Sequence, residues 1–565
     1  MSRMKWWGWG DEGVSFTHED KPALGPFLQR HIAVDAARVT SRPVGFDELD
    51  IDEPSLSPDL ADALERAVGE GQVSTEPPDR VVHARGKSLS DLVRSRSGDI
   101  GRLPDVVVRP RDEEAALAVV REAVDADAVV IPFGGGTSIS GSLEAEPSET
   151  RTVISVDLGA MDRVLAIDGE SRLARVQAGA LGPALERQLN DQGWTLGHFP
   201  DSFTHSTLGG WVATRSSGMQ SDMYGDVADL TRAVRVATPA GMLATPAVPS
   251  TSTGPSVREM VLGSEGRLGI ITEATVHVHR LPERRTILGY LFPSWADGLA
   301  AMSAIAAGEA APSVTRVSDA YETQFSFATK TGNSLLDRVK SKALSTYLER
   351  RRHFDLDAMC LSFIGYEGSK DHVAAQRKQV GHIVGRHGGL AIGTGPGALY
   401  DQKKFDTPYI RDFLLDRGAL GDVSETSAPW SALPGLYDNV MAAARGAFSD
   451  LGVKGYIMCH LSHSYHSGAC LYFTFAFKPS GAPLEQYGVV KAAIQQTFVD
   501  SGATLSHHHA VGTEHARWLE QDISAPGVEM LRALFEGMDP GANLNPGKIV
   551  AEQSAVRPGA ASPTG

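Results

Sequence analysis

Pro132-Phe133-Gly134-Gly135-Gly136-Thr137-Ser138 closes a run of apolar residues, Ala128 to Phe133, that reads as a buried strand. Three successive glycines let a backbone come close to a bound group, and the exposed amides, with the hydroxyls of Thr137 and Ser138, offer donors to phosphate oxygens. A tight strand-to-helix turn would use the same glycines for their freedom in φ. The stretch lacks the third, helix-opening glycine of GxGxxG and the Lys-Ser/Thr of a P-loop. A nucleotide held here would need a different fold.

Outward from this loop, short β-rich runs alternate with helices. Val106 to Arg109, Thr152 to Asp157, Leu173 to Gln177 and Ala233 to Ala237 read as strands, with helices over Glu113 to Asp125 and Leu181 to Gln192. Residues 99–282 are therefore expected to form an α+β unit that holds a cofactor. Beyond Pro282, strands are expected over Thr286 to Phe292, Ala358 to Tyr366 and Ala469 to Phe477, and helices over Trp295 to Ala307, His372 to Gly388 and Tyr487 to Ser501. Residues 283–550 then read as an α/β substrate cap. Residues 1–98 read as an extension packed on the later domains, helical at Ser57 to Glu70 and around Ser88 to Arg96, with no evident chemistry. Pro246 to Pro255 reads as a surface loop and residues 551–565 as a flexible tail.

At 565 residues the chain exceeds what one hydrophobic core usually holds, which predicts two or more domains and a site between them. A formal net charge of -16 argues against nucleic-acid binding while leaving room for a local basic patch that holds a small phosphate ester. Cys360, Cys459 and Cys470 form no CxxC pair, which disfavours a disulfide framework or structural zinc and fits a reducing compartment. The tryptophan-rich Met1 to Gly10 has no signal-peptide pattern, and no apolar run reaches the ~18 residues of a membrane span. Ser562-Pro563-Thr564-Gly565 is not a peroxisomal address, so a cytoplasmic location is expected.

Three further segments accompany the loop, which itself extends through Ile139 and Ser140. They are Asp201-Ser202-Phe203-Thr204-His205-Ser206-Thr207, Thr214-Arg215-Ser216-Ser217, and Glu265-Gly266-Arg267-Leu268-Gly269-Ile270-Ile271. Together, in this order, the four resemble the FAD-binding proteins of the vanillyl-alcohol oxidase type. The resemblance implies a two-part FAD-binding domain whose first loop binds the pyrophosphate, while the second and fourth segments line the isoalloxazine and adenine regions. Many such proteins tether FAD through a histidine in the first loop. Gly134 to Gly141 contains none, which implies noncovalent FAD.

In the cap, Tyr409-Ile410-Arg411-Asp412, Ser424 to Trp430, Gly468-Ala469-Cys470-Leu471-Tyr472-Phe473 and Ser506-His507-His508-His509-Ala510-Val511-Gly512 resemble the alkyldihydroxyacetonephosphate synthases. The likeness runs from Lys5-Trp6-Trp7-Gly8-Trp9-Gly10 to Asn543-Leu544-Asn545-Pro546-Gly547-Lys548. It implies exchange of the acyl chain of acyl-dihydroxyacetone phosphate for a long-chain alcohol, the ether-forming step of ether-lipid synthesis. No net redox change results, and flavin N5 acts as a covalent trap. By the same resemblance Tyr472 moves a proton at the substrate carbon, Arg411 holds the substrate phosphate and Arg316 supports activity. Lipid substrates, peripheral membrane contact and a homodimer are the partners expected.

The residues themselves allow these roles. A phenol titrates near 10, so Tyr472 acting as a base needs positive charge or hydrogen bonds nearby, which His507, His508 and His509 could supply. The planar, permanently charged guanidinium of Arg411 suits a phosphate. Plainer readings also stand: Arg411 in an ion pair with a neighbour, Tyr472 as core packing in an alternating strand, and the three histidines pointing different ways, with one or two facing a site. Arg267 and Thr513-Glu514-His515 depart from the family pattern and leave the substrate open.

The alternative within the superfamily is an FAD-linked 2-hydroxyacid dehydrogenase or oxidase, which typically carries a metal-binding H-x6-H pair followed by G-E-H-G-I-G. Here the corresponding positions are Tyr465 and Tyr472, then His507 to Gly512 with His508 in place of the glutamate, so a divalent metal would lose its ligands. His460, His463 and His466 would alternate faces on an extended strand, and no metal site is expected. A flavin-binding lipid carrier is a third possibility, but it has no need of Tyr472 beside a histidine cluster.

Overall fold

A computed structural model describes residues 4–331, 346–403 and 405–551. The helix Glu113–Asp125 shows how local sequence sets an element beside the glycine loop. The Asp112 side chain caps it by accepting the Ala115 N–H, and Glu113 and Glu114 face the positive end of its dipole. Ala116, Val119, Val120 and Ala123 fall on one face and are all buried. They join a core shared with the strands around the loop.

The first sheet contains β1 (Val73–Ser74), β2 (Val106–Val108), β3 (Val129–Phe133) and β4 (Val153–Asp157), in the order β1-β2-β4-β3. β2 and β3 both run parallel to β4, and β3 delivers the glycine loop. The free edge of β3 is covered late in the chain: Val130 bridges to Leu544, its N–H donating to Asn543 O at 2.7 Å and its carbonyl accepting the Asn545 N–H at 2.9 Å.

A second, antiparallel sheet follows: β5 (Val164–Asp168), β6 (Leu173–Gln177), β7 (Thr231–Thr238), β8 (Gly241–Ala244) and β9 (Ile270–His277), in the order β5-β6-β9-β7-β8. The stretch Pro246 to Pro255 leaves this sheet as an exposed loop.

The third sheet has seven strands, all antiparallel. They are β10 (Arg284–Phe292), β11 (Val314–Ser318), β12 (Cys360–Gly368), β13 (Leu390–Gly393), β14 (Leu420–Pro429), β15 (Gly455–Ser464) and β16 (Gly468–Phe477), in the order β13-β10-β12-β11-β15-β16-β14. The helices Trp295–Ala306, Lys370–Arg386, Leu433–Asp450 and Pro483–Asp500 share a second large core with it. β1, β5, β8, β9, β11, β13, β14 and β15 had no counterpart among the expected strands: β1, β8 and β13 are only two to four residues long, and polar residues interrupt the apolar alternation of β14 and β15. The expected tail, Ala551 apart, lies outside the described residues.

Candidate active site

The glycine loop, the third sheet and the N-terminal segment enclose one cavity of about 520 Å³. Pro132 to Ile139 line it, and among the described residues no protein acceptor meets the amides of Gly135, Gly136, Thr137 and Ser138. Gly136 sits at φ +66, and a Cβ on Gly135 would collide with the His205 carbonyl oxygen. Asn545 closes the same wall: its Nδ2 donates to Ser142 O at 3.0 Å and Glu265 O at 2.6 Å, while its buried Oδ1 has no partner among the described residues. A row of free amides beside an orphaned buried acceptor is what a dinucleotide with an anionic bridge and N–H donors on its rings requires, so the site fits FAD.

Of the other flavin-type segments, Asp201, Ser202, Ser206, Thr207, Thr214, Ser216, Ser217, Glu265, Gly266, Gly269 and Ile271 line the cavity. Ser140 stands behind the wall, its carbonyl accepting the Thr513 and Glu514 N–H groups. Glu265 ties the loop to the histidine run by accepting from the Ser142 hydroxyl and from the Val511 and Gly512 amides. Phe203, Leu268 and Ile270 face the core instead, Thr204 is exposed, and His205 turns to the Tyr409 hydroxyl at 3.3 Å. Arg215 points outward to Glu259, and Arg267 lies over the Phe535 ring, reaching Asn545 O at 3.4 Å.

Tyr472 on β16 sits opposite His460 on β15 and Glu425 on β14, so the three share one sheet face. The His460 ring stacks on Tyr472 with centroids 4.8 Å apart, and His508 and His509 bring their rings to 6.0 and 5.5 Å. His507 does not line the cavity, whereas His508 and His509 do. Glu425 anchors the run, its Oε1 accepting the His508 and His509 N–H groups at 3.1 and 3.0 Å and its Oε2 the His507 N–H at 2.8 Å. Burial opposes ionisation of Glu425, but the imidazoles and these amides hold it well below the usual carboxylate range.

Alternation along an extended strand predicts His460 and His463 on opposite faces, yet both line the cavity. A β-bulge is the reason. Ser462 pairs with Cys470 and Ser464 with Ala469, leaving His463 inserted at φ 50. Glu425, Cys470, His507 and His508 also gather ligand-type atoms within 4.8 Å of one another, each already engaged in a hydrogen-bonded contact.

The expectation that the histidines supply positive charge to Tyr472 needs correction for His508 and His509. Burial draws His508 down to about 3 and His509 to about 4, so both are neutral rings near neutral pH. Burial and the Asp201 carboxylate push the Tyr472 phenol well above its usual value, and the opposing cation is Arg411. Arg411 donates to the Lys87 carbonyl and lies 3.8 Å from Asp422, which Lys491 and the Tyr487 hydroxyl also hold. It is not paired with Asp412, its neighbour in sequence; that carboxylate goes to Lys5. The N-terminal extension is therefore part of the site, with Trp9 in the cavity wall beside Phe27, Leu28 and Ile32.

Arg316 on β11 donates to Glu322 at 2.8 Å and lies 3.2 Å from His460 Nδ1. Burial opposes the Glu322 charge, but His460 and Arg316 hold the carboxyl down at about 2. Glu322, Asp422, His460 and His463 were not anticipated as site residues. Asn545 had a signal in the Asn-Leu-Asn-Pro-Gly-Lys stretch, which already marked the far end of the family likeness.

Comparison with known proteins matches residues 104–245 to the FAD binding domain and residues 281–549 to the FAD linked oxidases, C-terminal domain. The chain is 36% identical over 574 residues to an alkyldihydroxyacetonephosphate synthase of Dictyostelium discoideum, covering 97% of this chain and 93% of that one. It is 33% identical to the one of Trypanosoma brucei brucei, with the same coverage of 97% and 93%. A solved alkyldihydroxyacetonephosphate synthase superposes with a TM-score of 0.84 at 34% identity, over 96% of this chain and 98% of that one.

Proposed function

The chain belongs to the alkyldihydroxyacetonephosphate synthase family, and on that footing we propose that it exchanges the acyl group of acyl-dihydroxyacetone phosphate for a long-chain alcohol. The observation that carries this reading is a single cavity with four kinds of wall. A glycine loop with free amides, the Arg411 guanidinium, the Tyr472 and histidine group, and an apolar corner built by Phe27, Phe325 and Tyr456 all face it. An ester carrying a phosphate and a fatty chain needs each of these.

Residues 99–282, joined by Asn545 from the C-terminal part of the chain, would hold FAD noncovalently, with Gly134 to Ser138 toward its pyrophosphate, since Gly134 to Gly141 has no histidine. The bound flavin supplies an electrophilic ring nitrogen. Arg411 has donors left after its bond to Lys87 and binds the phosphate bidentately. Tyr472 keeps its proton at rest, close to neutral imidazoles able to accept one. Arg316 holds His460 flat against Tyr472 and orients the phenol. Residues 283–550 would act as the cap.

Among the described residues no helix is long and apolar enough to cross a membrane. The substrates are small lipid molecules. We place the enzyme in the cytoplasm as a homodimer in peripheral contact with a membrane, where such lipids are found. Anaerobic incubation with acyl-dihydroxyacetone phosphate and labelled hexadecanol should yield the labelled alkyl ether and free fatty acid. No ether product, together with flavin bleaching by a 2-hydroxyacid, would replace this reading with the oxidoreductase one.

A further inference from the structure

Tyr465 holds the position at which the dehydrogenase pattern has a metal histidine, and its hydroxyl is held from two sides. It lies 2.7 Å from Asp226 Oδ2 and 2.6 Å from His507 Nε2. His507 Nδ1 lies 2.9 Å from His508 Nδ1, which is itself 3.5 Å from Glu425 Oε2. At the other end, Asp226 Oδ1 accepts the hydroxyl of Ser217, a cavity residue, at 2.5 Å. Side chains thus connect the flavin-type segment around Ser217 to the histidine run without a break.

The protons in this chain have a fixed direction. Burial opposes the Asp226 charge, but His507, His463 and the Ser217 and Tyr465 hydroxyls hold the carboxyl below its usual range, so it is ionised and accepts. Burial and Asp226 push the Tyr465 phenol up, so it keeps its single proton and gives it to Asp226. The phenol oxygen then accepts from His507 Nε2–H. In the tautomer that donates Nε2–H to the phenol, His507 presents Nδ1 as an acceptor 2.9 Å from His508 Nδ1, and the proton between the two rings belongs to His508 Nδ1. The nitrogen of His508 left for the cavity is Nε2, with its lone pair. Around this ring stand Glu425 from β14, His463 from β15, Tyr472 from β16, and His507 and His509 beside it.

We propose that Tyr465 and Asp226 are positioning residues that lock His508 in its Nδ1–H tautomer and so keep His508 Nε2 as a proton acceptor toward the cavity. The inference deepens the transferase reading, on which the acids within the cavity are Tyr472 and the bound substrate. Replacing Tyr465 with Phe removes the acceptor for His507 Nε2–H. The His507 proton then moves to Nδ1, His508 is driven to the Nε2–H form, and an acceptor becomes a donor. Asp226→Asn reverses the chain in the same way, because the phenol is then free to donate to His507.

Histidine-selective ¹⁵N labelling of the flavin-loaded protein and long-range ¹H–¹⁵N correlation read the tautomer, with His508 assigned by the signals lost in His508→Asn. His508 should be Nδ1–H in the wild type and Nε2–H in both Tyr465→Phe and Asp226→Asn. Turnover should fall about 10–100-fold in each variant, with KM and flavin content within about twofold, and the double variant should be no worse than the poorer single. An Nε2–H or doubly protonated His508 in the wild type, or losses that multiply in the double variant, would overturn the proposal. If the wild type shows the stated tautomer and makes no ether, the assigned reaction fails and the relay stands.

Discussion

Lys5 Nζ lies 3.1 Å from Asp412 Oδ2, although 407 residues separate them, and both side chains are almost fully buried. Asp412 also accepts the Trp9 N–H. It follows Arg411 on the short helix Ile410–Leu415, so the N-terminal segment clamps the helix that presents the cation. Asp412→Ala would strand a buried ammonium and should cost about 3–5 kcal/mol of stability. Thermal unfolding checks this, and Lys5→Met in the same chain should restore part of the loss.

Tyr472→Phe removes one hydroxyl and no packing volume to speak of. Ether formation should fall by at least about 100-fold while the flavin absorbance per chain is unchanged. Loss of flavin in parallel would assign Tyr472 a structural role.

Arg411→Lys keeps the charge and loses the planar fork that reaches the Lys87 carbonyl and still offers donors. KM for the phosphate ester should rise about tenfold or more, with a smaller change in kcat. Initial rates over a range of ester concentrations separate the two.

Gly135→Ala sets a methyl group against the His205 carbonyl oxygen, which belongs to the backbone and cannot swing aside. The glycine loop must shift, and the purified protein should carry little FAD, as seen in its visible spectrum. A normal flavin content would show that the loop yields without cost.

Stability should peak near pH 6.5. Burial pushes Asp222 and Glu514 up to about 7 and Asp319 to about 8. The folded chain therefore binds protons that the unfolded chain has released, and the stability they contribute is present at low pH and lost as pH rises to 7 and 8. His198, His509 and His515, lowered by burial to about 4, and His508, lowered to about 3, act in the opposite sense below about 6.5, where the unfolded chain is the one that binds protons. Tm should drop between pH 6.5 and 8, less steeply in Glu514→Gln; a flat profile there would refute the assignment.

What could be read from sequence divides along a physical line. The helix Glu113–Asp125 matches its expected span because cap, first-turn acids and buried stripe all lie within it. The glycine loop and Tyr472 were legible because one depends on backbone freedom and the other on a motif in the cap. The partners of Arg411 were not. Lys87 lies 324 residues away, and only the folded sheet brings Asp422 near. The shared orientation of His460 and His463 was hidden as well, since a bulge is set by the register of β15 against β16 and leaves no periodic trace in β15 itself. The neutrality of His508 and His509 follows from burial, which a run of three histidines gives no means to judge.

The Val130 bridge to Leu544 bears on how the protein is made. On the ribosome, the strand that ends in the glycine loop emerges long before the segment that covers its edge and supplies Asn545. Until that segment arrives, the nascent sheet exposes unpaired backbone to neighbouring chains, a hazard that edge strands carry in general. Because Asn545 completes the wall that the glycine loop begins, the cofactor site is whole only once that later segment has paired with the strand.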